Sequence, residues 1–472
     1  MTTMIYTRYG FAVFFFITWI CLWIIHLIAL FYSRWKLHRP VAAPSLEVPL
    51  PGVSILKPLL GDDPNLSSNL ETFFTMKYPL YEVLFCVEDE KDPAAAVAVA
   101  LMARYPNVPA RLLVGGERVG VNPKVNNMQP GLTAARHELL LISDAGIRMK
   151  EDTLLDMVQH LTERVGLVHQ MPFVADRPGF AAALEKVYFG TAQARMYLAA
   201  DFLRINCHTG MSSLVRRSAF EACGGLAAVA DYLAEDFFLA AALRAKGWRL
   251  AVSSQPAIQN PGRGGVRALA SRLMRWAQLR SAMLPHTILL EPISECLVLG
   301  VCAAWATHTL LGWEPAAVLA THALVWFLLD WLLLCAAQAG PPPFPKWWFA
   351  LAWLLRELAG PVLLLLALCR PTVQWRARQY RLAWGGLATE ICPKVFSIIL
   401  CEQVCNRIKK SYITAILKYI FCPVMKCVMC SVLSMDVTIN STCNAALGDI
   451  GLISGKFPHF AYFRKPMPKS LT

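Results

Sequence analysis

The sequence predicts an α/β domain built on a mostly parallel sheet with helices on both faces, joined to α-helical membrane segments. Three observations predict it. From Val53 to about Ala257 short apolar runs alternate with longer amphipathic ones, the pattern of successive βα units. Within that region Leu139–Arg148 reads LLLISDAGIR, a buried strand whose carboxylate, Asp144, emerges at its C-terminal end before a small-residue turn. The 472-residue chain is 56% hydrophobic and only 16% charged, with a mean hydropathy of +0.44, too apolar for an ordinary soluble protein.

The membrane segments come first and last. Phe11–Phe31 contains one ionisable residue, His26, and is long enough as a helix to cross a bilayer core of about 30 Å. No small-residue cleavage site follows, so it reads as a retained signal anchor. Arg34, Lys36, His38 and Arg39 follow it against Arg8 alone before it, which sets the next domain in the cytosol by the positive-inside rule. Ala43–Pro51 is a linker. After Arg280, three apolar segments follow, about Ile288–Leu311, Ala316–Cys335 and Trp347–Cys369. Each carries ionisable residues (Glu291 and Glu295, Asp330, Arg356 and Glu357), which in lipid usually face a helix bundle. Gly360-Pro361 marks a kink in the third. Arg370, Arg376, Arg378 and Arg381 return the chain to the cytosol, so an even number of crossings is required and the first segment is expected to be interfacial or re-entrant.

Between these lie the strands Val53–Lys57, Tyr81–Val87, Ala110–Val114, Leu139–Ser143 and Gly166–His169, with helices at Asn65–Met76, Pro93–Tyr105 and Asp152–Arg164. A formal charge of +13 points to an acidic partner, anionic lipid or a nucleotide diphosphate. The Lys and Arg are scattered and form no nucleic-acid motif, which argues against nucleic acid. Seven of the 15 Cys follow residue 390 and the others are spread singly, against a disulfide scaffold. The tail holds Cys422-x4-Cys427-x2-Cys430, which reads as simple or palmitoylated thiols rather than a zinc site, and the sequon at Asn440, silent if cytosolic.

Several polar residues suit chemistry at the strand ends, where open α/β sheets bind ligands. Asp144 either caps the following helix or holds a divalent cation that holds a diphosphate. Tyr81–Asp92 (YEVLFCVEDEKD) ends a strand in carboxylates suited to a uracil or ribose. Asp89 is nearest the strand end, and Asp92 before Pro93 is also an N-cap. Asn122–Gly131 (NPKVNNMQPG) reads as a polar, turn-rich segment, with Lys124 for a phosphate and Asn126 and Asn127 for a sugar or base, or else a solvated Lys. Glu235-Asp236 opens an apolar helix, where carboxylates favour the dipole or Asp236 serves as general base. Arg272 and Arg275 share a helix face able to grip a diphosphate, with Trp276 stacking beside them; an amphipathic surface helix has the same residues. Cys207, beside the small-residue loop Thr209–Ser212, is either a reactive pocket thiol or an inert buried one.

Taken in order, CVEDEKD, ISDAGIR, LAEDFF and RLMRW resemble the D…D…D…(Q/R)xxRW pattern of membrane-bound inverting glycosyltransferases. PGVSILKPL, DPNLSSNLETFF, GGERVGVNPKVNN, GLVHQMPFVADRPGFAA, EKVYFGTAQAR and ISEC are similar more closely to the animal ceramide glucosyltransferase family, glycosyltransferase family 21, from the first apolar segment to about Glu390. The resemblance implies a GT-A fold and transfer of glucose from UDP-glucose to the primary hydroxyl of ceramide, with inversion, at the cytosolic face of the Golgi. It implies a multi-pass membrane enzyme with a divalent cation, Mg2+ or Mn2+, UDP-glucose, ceramide and the bilayer as partners, and leaves homo- or hetero-oligomers open. On that pattern Asp236 is the catalytic base, Asp144 the metal-side residue and Asp92 the first aspartate, and Arg272, Arg275 and Trp276 contact diphosphate and acceptor; Asp89, Lys124, Asn126 and Cys207 are substrate-side candidates from the residues themselves.

The expected organisation is a transmembrane signal anchor at 1–40, a cytosolic GT-A catalytic domain at 50–285 and a membrane region at 286–372. A basic cytosolic segment at 373–390 and an atypical Cys-rich tail at 391–472 follow. Three departures from the family stand out: Asp-Ala-Gly rather than Asp-x-Asp at Asp144, Gln193 where a vertebrate member has His, and the tail. Rival readings are a processive or other lipid-linked glycosyltransferase and an inactive membrane-bound isoform.

Overall fold

The structure, a computed structural model, describes residues 2–43, 49–262, 264–370, 372–375 and 378–391. The tail from 392 onward, with its cysteines and sequon, lies outside them. The chain opens with α1 (Thr2–Lys36), β1 (Val53–Pro58), α2 (Leu66–Glu71), β2 (Tyr81–Val87), α3 (Pro93–Arg104), β3 (Ala110–Val114), α4 (Pro123–Ala134) and β4 (Leu139–Ser143). Next come β5 (Ile147–Arg148), α5 (Thr153–Gln159), β6 (Val165–His169), β7 (Pro172–Val174), α6 (Phe180–Tyr188), a π-helical turn at Phe189–Gln193 and α7 (Ala194–Leu203). Then follow β8 (Ser212–Arg216), α8 (Arg217–Ala222), α9 (Glu235–Ala245), β9 (Arg249–Val252), β10 (Ala257–Gln259) and α10 (Val266–Met283). The last elements are α11 (Thr287–Ser294), α12 (Cys296–Leu311), α13 (Pro315–Gln338), α14 (Lys346–Cys369), β11 (Thr372–Trp375), β12 (Arg378–Leu382) and β13 (Ala388–Glu390).

Seven strands form one sheet in the order β3-β2-β1-β4-β8-β6-β9, parallel except around β8, which runs antiparallel to both β4 and β6. Alternate side chains of the central strands feed two separate cores. Val53, Ile55, Val83, Phe85, Leu139 and Leu141 pack on one face, with residues of α2, α3 and α7. Leu56, Leu84, Leu140, Ile142 and Val215 pack on the other, with residues of α4, α8 and α9. This is the expected α/β architecture, covered on both faces as runs of buried apolar strand require. The helices expected at Asn65–Met76 and Asp152–Arg164 are shorter, Leu66–Glu71 and Thr153–Gln159, and side chains bond the backbone just past their ends. Thr72 turns its hydroxyl to Asn69 O and accepts Met149 N, and the His160 ring bonds Asp156 O.

Among the described residues, three helices are long and apolar enough to cross a membrane: Tyr6–Lys36 within α1, then α13 and α14. Their outward faces carry exposed apolar residues such as Phe14, Ile17, Leu324, Leu328, Leu351 and Leu358. The segment expected to be interfacial or re-entrant is two helices, α11 and α12, bent by 85° at Glu295. The helix α14, by contrast, runs through Gly360-Pro361 without a break. The membrane-helix charges turn inward. Asp330, fully buried, accepts from Arg195 Nη1 (3.0 Å), Arg356 Nη2 (3.1 Å) and Trp353 Nε1 (2.8 Å). His322 accepts from Trp19 and Trp23 (3.1 Å each) on one ring nitrogen and meets Cys296 O (3.0 Å) with the other. A buried ion pair left without one partner would cost several kcal/mol, about 3–5, so these contacts fix which helix faces meet. The first core runs on without interruption into Leu299, Trp326, Leu333 and Phe349, so the sheet domain sits directly on this bundle.

The segment expected to be merely basic is a folded three-stranded antiparallel sheet, β11-β12-β13. Val373, Tyr380 and Ala388 form a small core with Leu233 of the α/β domain. Within β12, RQYRL places Tyr380, buried in that core, two residues before Leu382, which packs against it, the period of a strand among charged residues.

Candidate active site

The site is built at the C-terminal ends of β1, β2 and β4. β4 ends in Ser143, and Asp144 is held there by backbone: its N–H donates to Met211 O (2.9 Å) and its own C=O accepts from Ile147 N (3.2 Å). Lys57, the fifth residue of the wholly buried β1, reaches across to donate to Asp144 O (2.6 Å) and Ser143 Oγ (3.3 Å). Its ammonium also lies 3.9 Å from the Phe73 ring centroid. Burial pushes the Lys57 amine down to about 7, partly offset by Asp144. Lys57 is not among the residues expected from the sequence, where its signal is a lysine inside a continuous apolar strand.

Asn122–Gly131 is a helix rather than a turn. Asn122 caps α4, its Oδ1 accepting from Lys124 N (2.9 Å) and Val125 N (3.3 Å), with Pro123 at the first position as the Asn-Pro order permits. Pro130 inside it cannot donate to Asn126 O, and that carbonyl accepts Glu117 N instead (2.8 Å). Helix formation turns Lys124 inward. Its ammonium donates to Asp144 Oδ1 (2.9 Å), Glu235 Oε1 (3.0 Å) and Gly210 O (3.1 Å). Burial opposes that charge, but Asp144 and Glu235 hold the amine above its ordinary range.

Glu235 and Asp236 occupy the first turn of α9, where carboxylates favour the helix dipole. Asp236 accepts from Gly210 N through Oδ2 and from Phe237 N through Oδ1 (2.8 Å). Gly210 is required by space: a Cβ there would lie 2.8 Å from Asp236 Cβ. Burial raises the Asp236 carboxyl above the usual carboxylate range, with Lys124 and two backbone N–H groups pulling it back. Glu235, which sequence reasoning treated only as a dipole residue, is likewise raised by burial and bonded by Asn122 Nδ2 (2.9 Å). Asp144, Lys124, Glu235 and Asp236 thus form one constellation from β4, α4 and α9.

The other expected residues stand around it in different ways. Asp92 does cap α3, accepting Ala94 N (2.9 Å), and both its oxygens also accept Gly61 N (2.8 and 3.0 Å), so it ties the β1 and β2 loops together. Asp89 is exposed and shapes its own turn through Lys91 N (2.9 Å). Asn126 is committed to the preceding loop: Oδ1 accepts Val119 N (2.9 Å) and Gly120 N (3.1 Å), and Nδ2 donates to Gly120 O (2.9 Å). Arg272 on α10 pairs with Glu185 and donates to Gln259 (3.1 Å), with its guanidinium near the rings of Phe189 and Trp276. Gln259 lies opposite Ile147, three residues past Asp144, which brings the Arg272 helix to the same strand end. Arg275 lies 6.0 Å from the Trp375 ring of the small sheet. Trp276 packs edge-on against Phe189. Cys207 donates to Tyr197 O (3.9 Å) and burial pushes its thiol far up, which disfavours the thiolate a reactive cysteine needs. Gln193 is buried beside Tyr188 in the π-helical turn.

For a divalent cation the donor set is sparse but serviceable. Among the described residues no group of three or more His, Cys, Asp or Glu could hold a metal. Asp144, with 41% of its side chain exposed, offers one open carboxylate. Mg2+ is commonly bound through one or two carboxylates with phosphate oxygens and water supplying the rest, so Asp144 fits a cation that arrives with a diphosphate.

Residues 21–388 match the family described as Glycosyl transferase family 21. The chain is similar to ceramide glucosyltransferase 3 of Caenorhabditis elegans, 45% identical over 368 residues, covering 78% of this chain and 80% of the relative. Ceramide glucosyltransferase 1 of the same organism is 41% identical, covering 77% and 78%. The ceramide glucosyltransferase of Komagataella phaffii is 28% identical, covering 72% and 84%. A solved mannosyltransferase from Pyrobaculum calidifontis, in complex with GDP-Man and Mn2+, has a TM-score of 0.42 at 19% identity, covering 70% of this chain and 98% of that one. With a family match over most of its length and relatives above 40% identity, the chain belongs to glycosyl transferase family 21.

Proposed function

We propose that this membrane protein transfers glucose from UDP-glucose to the primary hydroxyl of ceramide, with inversion, producing glucosylceramide. The observation that carries the reading is the Asp144–Lys124–Glu235–Asp236 constellation at the strand ends of a domain seated on apolar helices, in a chain whose relatives are ceramide glucosyltransferases. A lipid acceptor leaves the bilayer at high cost, and a catalytic face adjoining the helices meets it there.

In this reading Asp236 takes the proton of the acceptor hydroxyl, its carboxylate aimed by Gly210 N and Phe237 N. The hydroxyl oxygen forms its bond to the anomeric carbon as the bond to UDP breaks on the opposite side. A divalent cation bound at Asp144 would neutralise charge on the diphosphate. Lys124 keeps Asp144 and Glu235 in place, and Lys57 fixes the Asp144 backbone from below. Arg272, Arg275 and Trp276 are assigned to the diphosphate and the acceptor entrance, with Asp89, Asp92, Asn126 and Cys207 shaping the substrate pocket around them.

For orientation, α1 is read as the anchor and residues 50–285 as the cytosolic catalytic domain at the Golgi. The contact of Val373, Tyr380 and Ala388 with Leu233 supports one side for residues 50–285 and 373–390. That requires an even number of crossings between them, which α13 and α14 supply when the bent α11–α12 pair does not cross. The test is transfer from radiolabelled UDP-glucose on membranes expressing the chain, with ceramide added or withheld. Ceramide-dependent product is expected; label entering polymer or no acceptor-dependent product would overturn the reading.

A further inference from the structure

A cleft of about 200 Å³ opens beside the constellation, at the C-terminal ends of β2 and β3. Its lining comes from four parts of the chain: Glu88 after β2, Gly115 and Arg118 after β3, Asn126 on α4, and Arg378 and Glu390 on the small C-terminal sheet. Drug-sized ligands fill pockets of about 300–1,000 Å³, so this one suits a single ring of a larger ligand. α4 links it to the chemistry: Asn126 lies two residues past Lys124 on the same helix, and Lys124 contacts Asp144. The loop forming its rim is built for close approach. Gly115 and Gly116 have φ of +108° and +58°, and Asn126 holds residues 119 and 120 by three hydrogen bonds.

We infer that the small C-terminal sheet completes the nucleoside pocket of the donor, with Arg378 and Glu88 reading the edge of the base. This rests on the proposed UDP-sugar donor. Arg378 stands loosely between Glu88 (3.4 Å) and Glu390 (3.5 Å), all three partly exposed, so its guanidinium is oriented without being consumed by a tight pair. A uracil edge offers N3–H as donor and O4 as acceptor. A carboxylate accepts the first and a guanidinium donates to the second, whereas cytosine presents an amino group where O4 would be. The pair therefore selects uracil over cytosine. It also gives the sheet a purpose that its Arg content alone hid: Leu233, Val373, Tyr380 and Ala388 hold it against the α/β domain so that Arg378 overhangs the cleft.

The experiment measures UDP and CDP binding to the purified full chain in detergent, with Mg2+, for the wild type, Arg378→Gln and Glu88→Ala. Losing a hydrogen bond to a charged partner weakens binding by roughly 10- to 100-fold, so each variant is expected to lose UDP affinity by that factor and to bind CDP nearly unchanged. The melting temperature without nucleotide is followed in parallel. UDP binding at wild-type strength in both variants overturns the inference. So does a parallel loss of UDP and CDP with a lowered melting temperature, which would make the sheet a scaffold only. Should Arg378→Gln not fold, Glu88→Ala, which lies outside the sheet, decides by the same ratio. A wild type that binds no UDP contradicts the proposed donor instead.

Discussion

Replacing Lys124 by Met removes a single ammonium from between two carboxylates, Asp144 at 2.9 Å and Glu235 at 3.0 Å, in a chain whose Asp236 also senses that charge. At 3 Å and an effective dielectric of about 20, each contact is worth roughly 5.5 kcal/mol before desolvation is counted. Asp144 is 41% exposed, so water restores much of its share. The Glu235 pair is only 11–12% exposed on either side and carries most of the effect, about 3–5 kcal/mol on loss of a buried partner. Asp236 is already raised by burial and is lowered chiefly by Lys124, so without Lys124 it rises further. A base must be unprotonated to act, so the acid limb of kcat/KM should move to higher pH, with activity recovering as pH rises. The assay is ceramide glucosylation across roughly pH 5–9 at matched protein levels. A variant profile that superimposes on the wild type, with an unchanged UDP-glucose KM, would refute the placement of Lys124.

Further outcomes follow from the same geometry. Gly210→Ala puts a methyl 2.8 Å from Asp236 Cβ and displaces the base, so turnover should fall on the order of 100-fold with donor KM unchanged; steady-state kinetics in both substrates checks it. Lys57 is held near 7 in the fold against its ordinary 10.5, so above pH 7 the unfolded chain keeps a proton that the folded chain releases. Stability should therefore rise with pH through that window, and Lys57→Met should flatten the slope in melting curves of the solubilised enzyme. Protease added to sealed Golgi vesicles should cut both within residues 50–285 and near 378–390, because those regions share a core; protection of either contradicts the topology.

What the sequence revealed depended on how local each signal was. The run LLLIS ending in Asp144 declared a buried strand and its exit point without help from the rest of the chain. The apolar stretches of α1, α13 and α14 did the same through length and composition. The sequence hides α4, because Pro130 and two Asn resemble turn chemistry, while the Asn122 cap and the Glu117 bond that replaces the lost helical one are visible only in three dimensions. Lys57 and Glu235 went unassigned because their partners, Asp144 and Lys124, are distant in sequence. The small sheet hid behind its arginines, since its apolar residues find their core on Leu233, far upstream. The motif points to Asp236, but the orientation of its carboxylate comes from Gly210, which a sequence can offer only as one more small residue.

The account stands most directly on the division of labour between Asp236 and Asp144. Asp236→Asn keeps shape and removes basicity, which typically costs about 10²–10⁴-fold in rate. Asp144→Asn should weaken cation-dependent donor binding as well as turnover. The measurement is UDP-glucose binding alongside ceramide glucosylation for both variants at matched expression. The account predicts that Asp236→Asn binds donor as the wild type does and scarcely turns over, while Asp144→Asn fails at both. Normal turnover in Asp236→Asn, or a loss of donor binding equal to that of Asp144→Asn, would contradict it.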